Sequence, residues 1–398
     1  MAGLLLRRCA PLVLVLAGSA AVGLPARADY RIDGHGYGHG VGLAQYGAMG
    51  IATETKHTYR WILSRYFPGT RRASGPSARM RVRLKQATAA RVTLATLARD
   101  ARGRRVTLQR TRVYRFVPWR ADGLAVTDRT TGRTRAHLRA PVRLTGPAPM
   151  RVAGKAENGV ENGRYRGAVV LHRAAALVLV VDDARLESYL RGVVPAEMPA
   201  GWPAQALRAQ SVVARSYALT SRRPGEPFDV FADTRSQVYR GVGAEHSRTD
   251  SALEATRGIV LMHGSSVART LFHSSSGGRT AAAEEVFGGP PVPYLRSVED
   301  PFDRGSPYHD WTVTLSDEQA ARQLATVLRG DLLDVRVVAL TPSGRAATVR
   351  VTGTLGSVDV PGATARTLLG LRSSWFTVRR SATRPAPVGN RMREAAGA

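Results

Sequence analysis

Between Met80 and about Val181, apolar and polar residues alternate in short stretches: Met80-Arg81-Val82-Arg83-Leu84, Arg91-Val92-Thr93-Leu94, Val106-Thr107-Leu108 and Val142-Arg143-Leu144. The more continuously apolar Ala168 to Leu171 and Leu177 to Val181 follow. Alternation sends successive side chains to opposite faces of a strand, so this region predicts antiparallel, β-rich structure with its arginines on solvated faces. On either side the period lengthens. Gln45 to Phe67 brings Ala48, Ile51, Ala52, Tyr59, Ile62, Leu63 and Tyr66 round near helical spacing, and Pro68-Gly69 stops it. Leu186 to Arg222 reads as helical with breaks at Pro195, Pro199 and Pro203, and Thr249 to Arg257 as a helix ended by Gly258 in the left-handed conformation. Strand patterns return at Ile259 to Met262, Val267 to His273, Trp311 to Leu315, Val335 to Leu340, Ala347 to Val351 and Trp375 to Val378. The expected fold class is therefore α+β, with β-rich mixed sheets and a few helices around a cleft.

A glycine pattern precedes the first helix. Gly34, Gly36, Gly38, Gly40 and Gly42 alternate with His35, Tyr37, His39 and Val41. In an extended strand this spacing leaves one face without side chains, open to the close approach of another backbone or a sugar ring. The glycines do not match G-x-G-x-x-G, so no dinucleotide fingerprint is present. His35 and His39 have the i, i+4 spacing of zinc ligands on a helix, but the glycines argue against a helix, leaving packing or polar support of a site as the better reading.

The ends of the chain change the picture of its charge. Arg7 and Arg8, the apolar run Leu12 to Leu24 and Ala26-Arg27-Ala28 form a signal peptide pattern over residues 1–28, too short in its apolar part to span a bilayer comfortably, so the mature chain is expected to begin at Asp29 and to be secreted. The chain's single cysteine, Cys9, belongs to that segment, which leaves no disulfide framework and no cysteine-based zinc cage. The last eighteen residues, Ser381 to Ala398, are rich in Pro, Arg and Ala and read as disordered. The formal net charge over 398 residues is +28, and all but three of the 58 basic residues are arginine, spread along the chain without a massed run. That spread argues against a nucleic-acid footprint; outside the cell the partners of such a charge are anionic wall polymers.

One carboxylate stands out. Glu197 lies between Pro195 and Pro199 in a mostly apolar context, where burial would raise its pKa and let it donate a proton near neutral pH. On the residues alone it fits a catalytic acid and a helix-start carboxylate equally well. Glu187, among Arg185, Ser188 and Arg191, reads as a solvated partner.

The segment VVPAEMPAGWPAQALRAQSVVARSYAL, Val193 to Leu219, resembles the signature of the SpoIID/LytB family, the stage II sporulation protein D group of peptidoglycan lytic transglycosylases and amidase enhancers. Further matches follow in order: Asp233-Thr234, Gln237-Val238-Tyr239, Ala255-Thr256-Arg257-Gly258, the Ser274 to Thr280 loop, Tyr294-Leu295, Asp300-Pro301 and Ser343-Gly344-Arg345. The resemblance covers about Asp33 to Val378. It divides the chain into a segment 29–72 that completes the catalytic unit, a β-rich part 73–182 and the catalytic region 183–380.

The resemblance implies that Glu197 is the acid/base of glycan cleavage, with Arg208, Gln210 and Arg215 on the following helix as candidates to bind substrate or tune it. It also brings Gln237, Tyr239, Ser276, Thr280, His39 and Gln45 forward as groove-lining positions. Peptidoglycan glycan strands are the implied substrate, and a cell-wall amidase a further partner if the chain acts as an enhancer. No cofactor is implied, and no metal: where some relatives carry a Cys and His set, this chain has Ala232-Asp233-Thr234-Arg235-Ser236. A serine hydrolase built on Ser274 to Ser276 is disfavoured because no G-x-S-x-G elbow surrounds those serines. The block from Gly34 to Ala52 follows the terminal F-x-V strand in many relatives but here opens the mature chain, which points to a circular permutation and predicts that residues 31–42 pack beside residues 375–378.

Overall fold

A computed structural model of the chain describes residues 29–147 and 149–381. The expected signal segment, and all but the first residue of the expected tail, lie outside the described residues. Helices and strands are mixed as expected, in several sheets. Two of these sheets hold the β-rich segment. A six-stranded sheet orders the strands at residues 134–139, 123–128, 114–119, 90–93, 150–152 and 164–165; a seven-stranded one orders 230–231, 79–87, 177–185, 168–174, 142–145, 97–99 and 105–107. The inward halves of the alternating patterns, including Val82, Leu84, Val92, Phe116, Val126, Leu144, Leu171 and Val180, form one core between the sheets, and Tyr189, Leu190, Val193 and Val194 of the helix Leu186–Glu197 join it.

Most strand expectations match within a residue or two, such as Asp310–Ser316 for Trp311 to Leu315 and Ile259–His263 for Ile259 to Met262. The stretch Val267 to His273 is instead split into Ser266–Val267 and Phe272–His273. Gln45 to Phe67 is two helices, α1 (Gln45–Glu54) and α2 (Tyr59–Tyr66), because the chain turns extended at Thr55 and Thr58. Leu186 to Arg222 becomes α3 (Leu186–Glu197) and α4 (Ala204–Thr220). Pro195 does not break α3; it sits in the last turn, where the helix is ending anyway and loses little. Helices α1, α2 and α4 share a second core, with Val41, Ile51, Ile62, Tyr66, Leu207 and Val213 fully buried. A third core lies under the sheet of residues 332–340, 346–353 and 356–361.

The glycine block departs most from expectation. Asp29–His35 is the central strand of a three-stranded sheet, but it ends at His35. Beyond it Gly36, Gly38, Gly40 and Gly42 all take positive φ, from +73° to +112°, so the segment is a looping ribbon rather than a strand with a bare face. Close approach is nonetheless what the missing side chains permit. A Cβ on Gly36 would lie 2.7 Å from the Ser275 carbonyl oxygen, and one on Gly42 would lie 2.2 Å from that of Leu271. The Asp29–His35 strand pairs antiparallel with Phe376–Arg380, Ile32 opposite Val378, which is the juxtaposition expected of the two ends of the resemblance.

Candidate active site

The cleft forms where three separate stretches of chain meet. The glycine ribbon supplies Tyr37, Gly38 and His39; the start of α1 supplies Gln45; and the end of α3 supplies Glu197. Thr234 to Ser236, Val238 and Leu271 to Ser274 close the walls, and Phe287 and Arg366 reach in from later segments. The cavity is about 660 Å³, a size that fits a few sugar rings.

Glu197 is the last residue of α3. A helix end leaves carbonyl groups without partners inside the helix, and the Gln45 side-chain amide donates to the Glu197 carbonyl oxygen at 3.0 Å. Gln210, wholly buried on α4, steadies that amide from behind, its Oε1 3.5 Å from Gln45 Nε2. The Val238 N–H donates to Glu197 Oε1 at 2.5 Å, which aims the carboxyl at the cleft. Burial pushes the Glu197 pKa from 4.5 to about 7, against the opposing pull of the Val238 N–H and of Arg240. The negative pole of α3 works in the same direction as burial. Glu197 is thus a helix-end carboxylate, not a helix-start one, and at neutral pH it exists in both protonation states.

His39 is held in place by the ribbon itself: the Val41 N–H donates to its Nδ1 at 3.0 Å. Burial, and then the charges of Arg366 and Arg345, bring its pKa down to about 4, so the ring is neutral and its proton sits on Nε2. His273, stacked at a tilt 5.7 Å away, is fully enclosed and held well below the usual imidazole range by burial. Tyr37 and Phe287 are exposed aromatics at the mouth, 42% and 58% accessible. Arg235, Arg269 and Arg366 line the walls; Arg235 is tied to Asp233 and Glu157. Among the described residues, Glu197 is the only carboxylate that lines the cavity.

Of the positions singled out from sequence, His39, Gln45 and Glu197 meet in the cleft, and Gln210 stands directly behind. The others lie elsewhere in the fold. Arg215, 1% exposed, makes a two-pronged ion pair with Glu187 at 2.7 and 2.8 Å and donates to the Ile259 carbonyl, so it ties α4 to α3 and to the Ile259–His263 strand. Glu187 is therefore the partner of a buried arginine on another helix, not of solvent. Arg208 is on α4 and does not line the cavity. Tyr239 donates its hydroxyl to the buried Asp182 at 2.7 Å, and Gln237 accepts from Tyr189 at 3.3 Å, which fixes the loop that presents Val238. Ser276 donates to Asp300 at 2.8 Å and Thr280 accepts from the Val298 N–H, so both hold their loop. Ser275 likewise donates to Asp303 at 2.6 Å, so the hydroxyls of Ser275 and Ser276 are both spent on holding the loop.

The family profile described as Stage II sporulation protein matches residues 176–263, the stretch that carries α3, α4 and the Val238 loop. Over this region the chain is similar to the SpoIID family, in line with the resemblance read from Val193 to Leu219. An uncharacterized protein of Brachyspira hyodysenteriae is 34% identical over 171 residues, 42% of this chain and 45% of that protein. The amidase enhancer of Bacillus subtilis is 42% identical over 130 residues, 33% of this chain and 17% of its own length. Stage II sporulation protein D of Bacillus amyloliquefaciens is 30% identical over 219 residues, 50% and 62% respectively. The chain thus spans less than two thirds of the length of each of these relatives. The family region supplies Glu197 and its Val238 clamp, whereas His39, Gln45, Phe287 and Arg366 fall outside residues 176–263. No sequence spacing marks Phe287 or Arg366; only the fold brings them to the cleft.

Proposed function

We propose that this chain is a secreted peptidoglycan lytic transglycosylase of the SpoIID/LytB family in which Glu197 is the sole general acid and base. The observation that carries this reading is one carboxyl, raised to about 7 and clamped by the Val238 N–H, in a cleft that among the described residues holds no second carboxylate. Hydrolysis of the usual kind uses two carboxyl groups, one on either side of the sugar. One carboxyl suffices if the nucleophile belongs to the substrate. Protonated Glu197 gives its proton to the oxygen of the N-acetylglucosamine leaving group as the bond to C1 of N-acetylmuramic acid breaks. The muramyl 6-hydroxyl oxygen then bonds to C1 and its proton returns to Glu197, closing a 1,6-anhydro ring without water. Tyr37 and Phe287 offer ring faces for sugars at the mouth.

The name of the Bacillus subtilis relative favours a second reading, a glycan-binding enhancer of a separate cell-wall amidase. Purified chain incubated with glycan strands, intact or stripped of stem peptides, tests both by product mass. New 1,6-anhydro ends support the lyase. Glycan binding with no new ends from either substrate overturns it in favour of the enhancer.

A further inference from the structure

We propose that the outer face of the six-stranded sheet is a docking surface for an extended phosphodiester polymer of the cell wall. Residues 73–183, the β-rich part and the residue after it, hold 23 Lys and Arg against seven Asp and Glu. Register concentrates that excess on one face. Arg91 lies directly opposite Arg115, and Arg151 directly opposite Arg164; Arg151 also stands opposite Thr93, so the four arginines share one face across four adjacent strands. At the ordinary strand spacing that row is about 14 Å wide. Arg91, Arg151 and Arg164 are exposed and Arg115 is half-buried, while the alternate residues Val92, Phe116, Val152 and Tyr165 point into the core.

Like charges directly opposite one another destabilise a sheet, and a face exposed merely to water normally mixes both signs. In the sheet of residues 332–361 Arg350 stands opposite Asp359 and pairs with it at 2.7 Å. Among the described residues, nothing comparable serves the arginine face. The only acid in these six strands, Asp128, points inward and holds Arg112 at 2.5 Å. Asp122 is paired with Arg139, Glu157 with Arg83 and Arg235, and Asp183 with Arg79 and Arg143. Asp100 accepts backbone N–H groups of Arg102, Arg104 and Arg139, and Asp182 accepts from Tyr239. Glu161, the last of the seven, lies outside the six strands, where it bridges Lys155 through the backbone and acts on the Lys85 ammonium.

Guanidinium groups recognise phosphate through paired N–H donors, and a row of them without acids fits a chain of regularly spaced phosphates better than a single anion. The choice of a wall polymer over other polyanions rests on the function proposed above; the arginine face itself does not.

Full-length chain is titrated with synthetic poly(glycerol phosphate) over a range of salt, alongside a duplex DNA and phosphatidylglycerol vesicles. The wild type should bind the polymer with strong salt dependence. The variant with Arg91, Arg115, Arg151 and Arg164 all changed to Ser should lose at least tenfold in affinity, its salt slope falling by about 3, roughly 0.7 for each phosphate no longer neutralised. A control with Arg60, Arg72, Arg296 and Arg329 changed to Ser removes equal charge elsewhere and should bind nearly as wild type. Equal losses in the two variants, or none in the first, overturn the docking face; tighter binding to DNA or to vesicles overturns the choice of polymer. Glu197→Gln should bind poly(glycerol phosphate) like wild type, so a failure of the glycan-cleavage reading is visible separately.

Discussion

The state of Glu197 can be read from stability as well as from activity. Its pKa stands at 4.5 when the chain is unfolded and at about 7 in the fold, raised chiefly by burial. Between those two values the unfolded chain has given up a proton that the folded chain keeps, so stability falls as pH rises through the interval and the penalty is complete above about 7. A shift of that size corresponds to about 3 kcal/mol. Glu197→Gln keeps the shape and the acceptor for the Val238 N–H but cannot ionise. The variant should match wild type near pH 4 and exceed it by about 3 kcal/mol near pH 9, measured by urea unfolding of both proteins at the two pH values. Asp182, also raised to about 7 by burial, is common to both proteins and cancels in the difference. Glycan cleavage by the same variant should fall at least 100-fold, the usual range for removing an acid–base group. A stability difference independent of pH would refute the buried, proton-holding carboxyl, whatever the kinetics.

Three further outcomes follow from the packing around the cleft. Arg215→Ala should cost about 3 kcal/mol in thermal or urea unfolding, because it strands Glu187 and empties a buried site, whereas the paired change Arg215→Met with Glu187→Leu should recover most of the loss. Gln45→Ala removes the amide that caps α3; it should cost about 1 kcal/mol of stability and a larger factor in kcat than in KM, measured on glycan strands. Gly47→Ala should destabilise by at least about 2 kcal/mol in a thermal melt, since the new Cβ would lie 2.1 Å from Tyr66 Oη and 2.3 Å from Asp300 Oδ2 and α1 must shift to admit it.

Much of the fold is legible in the chain because burial follows local period: Val82, Leu84, Val92 and Leu144 alternate in sequence and alternate in space. Glu197 is legible as a carboxylate in a mostly apolar stretch, and burial does raise its pKa, although the groups that act on it, Val238 and Arg240, come from elsewhere in the chain. The glycine ribbon is half legible. Alternate glycines announce close approach, but the same spacing serves a bare-faced strand and a run of positive φ, and only the packing of Ser275 and Leu271 against it decides between them. The pairing of Arg215 with Glu187 is not legible, because it depends on how α4 crosses α3. Phe287 and Arg366 are silent for the same reason: their place in the cleft comes from chain 90 and 169 residues past Glu197, with no local signature.

The Asp29–His35 strand lies between Asp310–Ser316 and Phe376–Arg380. In synthesis, then, one of the earliest ordered strands waits for partners made roughly 280 and 345 residues later. The glycine ribbon that carries Tyr37 and His39 hangs from that strand, so a nascent chain can fold its two arginine-rich sheets while the cleft is still open on one side. Loop closure over such a span makes the last step slow relative to local pairing. A ribosome-bound or truncated chain that stops before Phe376 would have Glu197 and its Val238 clamp, while the strand that carries the ribbon would lack one of its two partners.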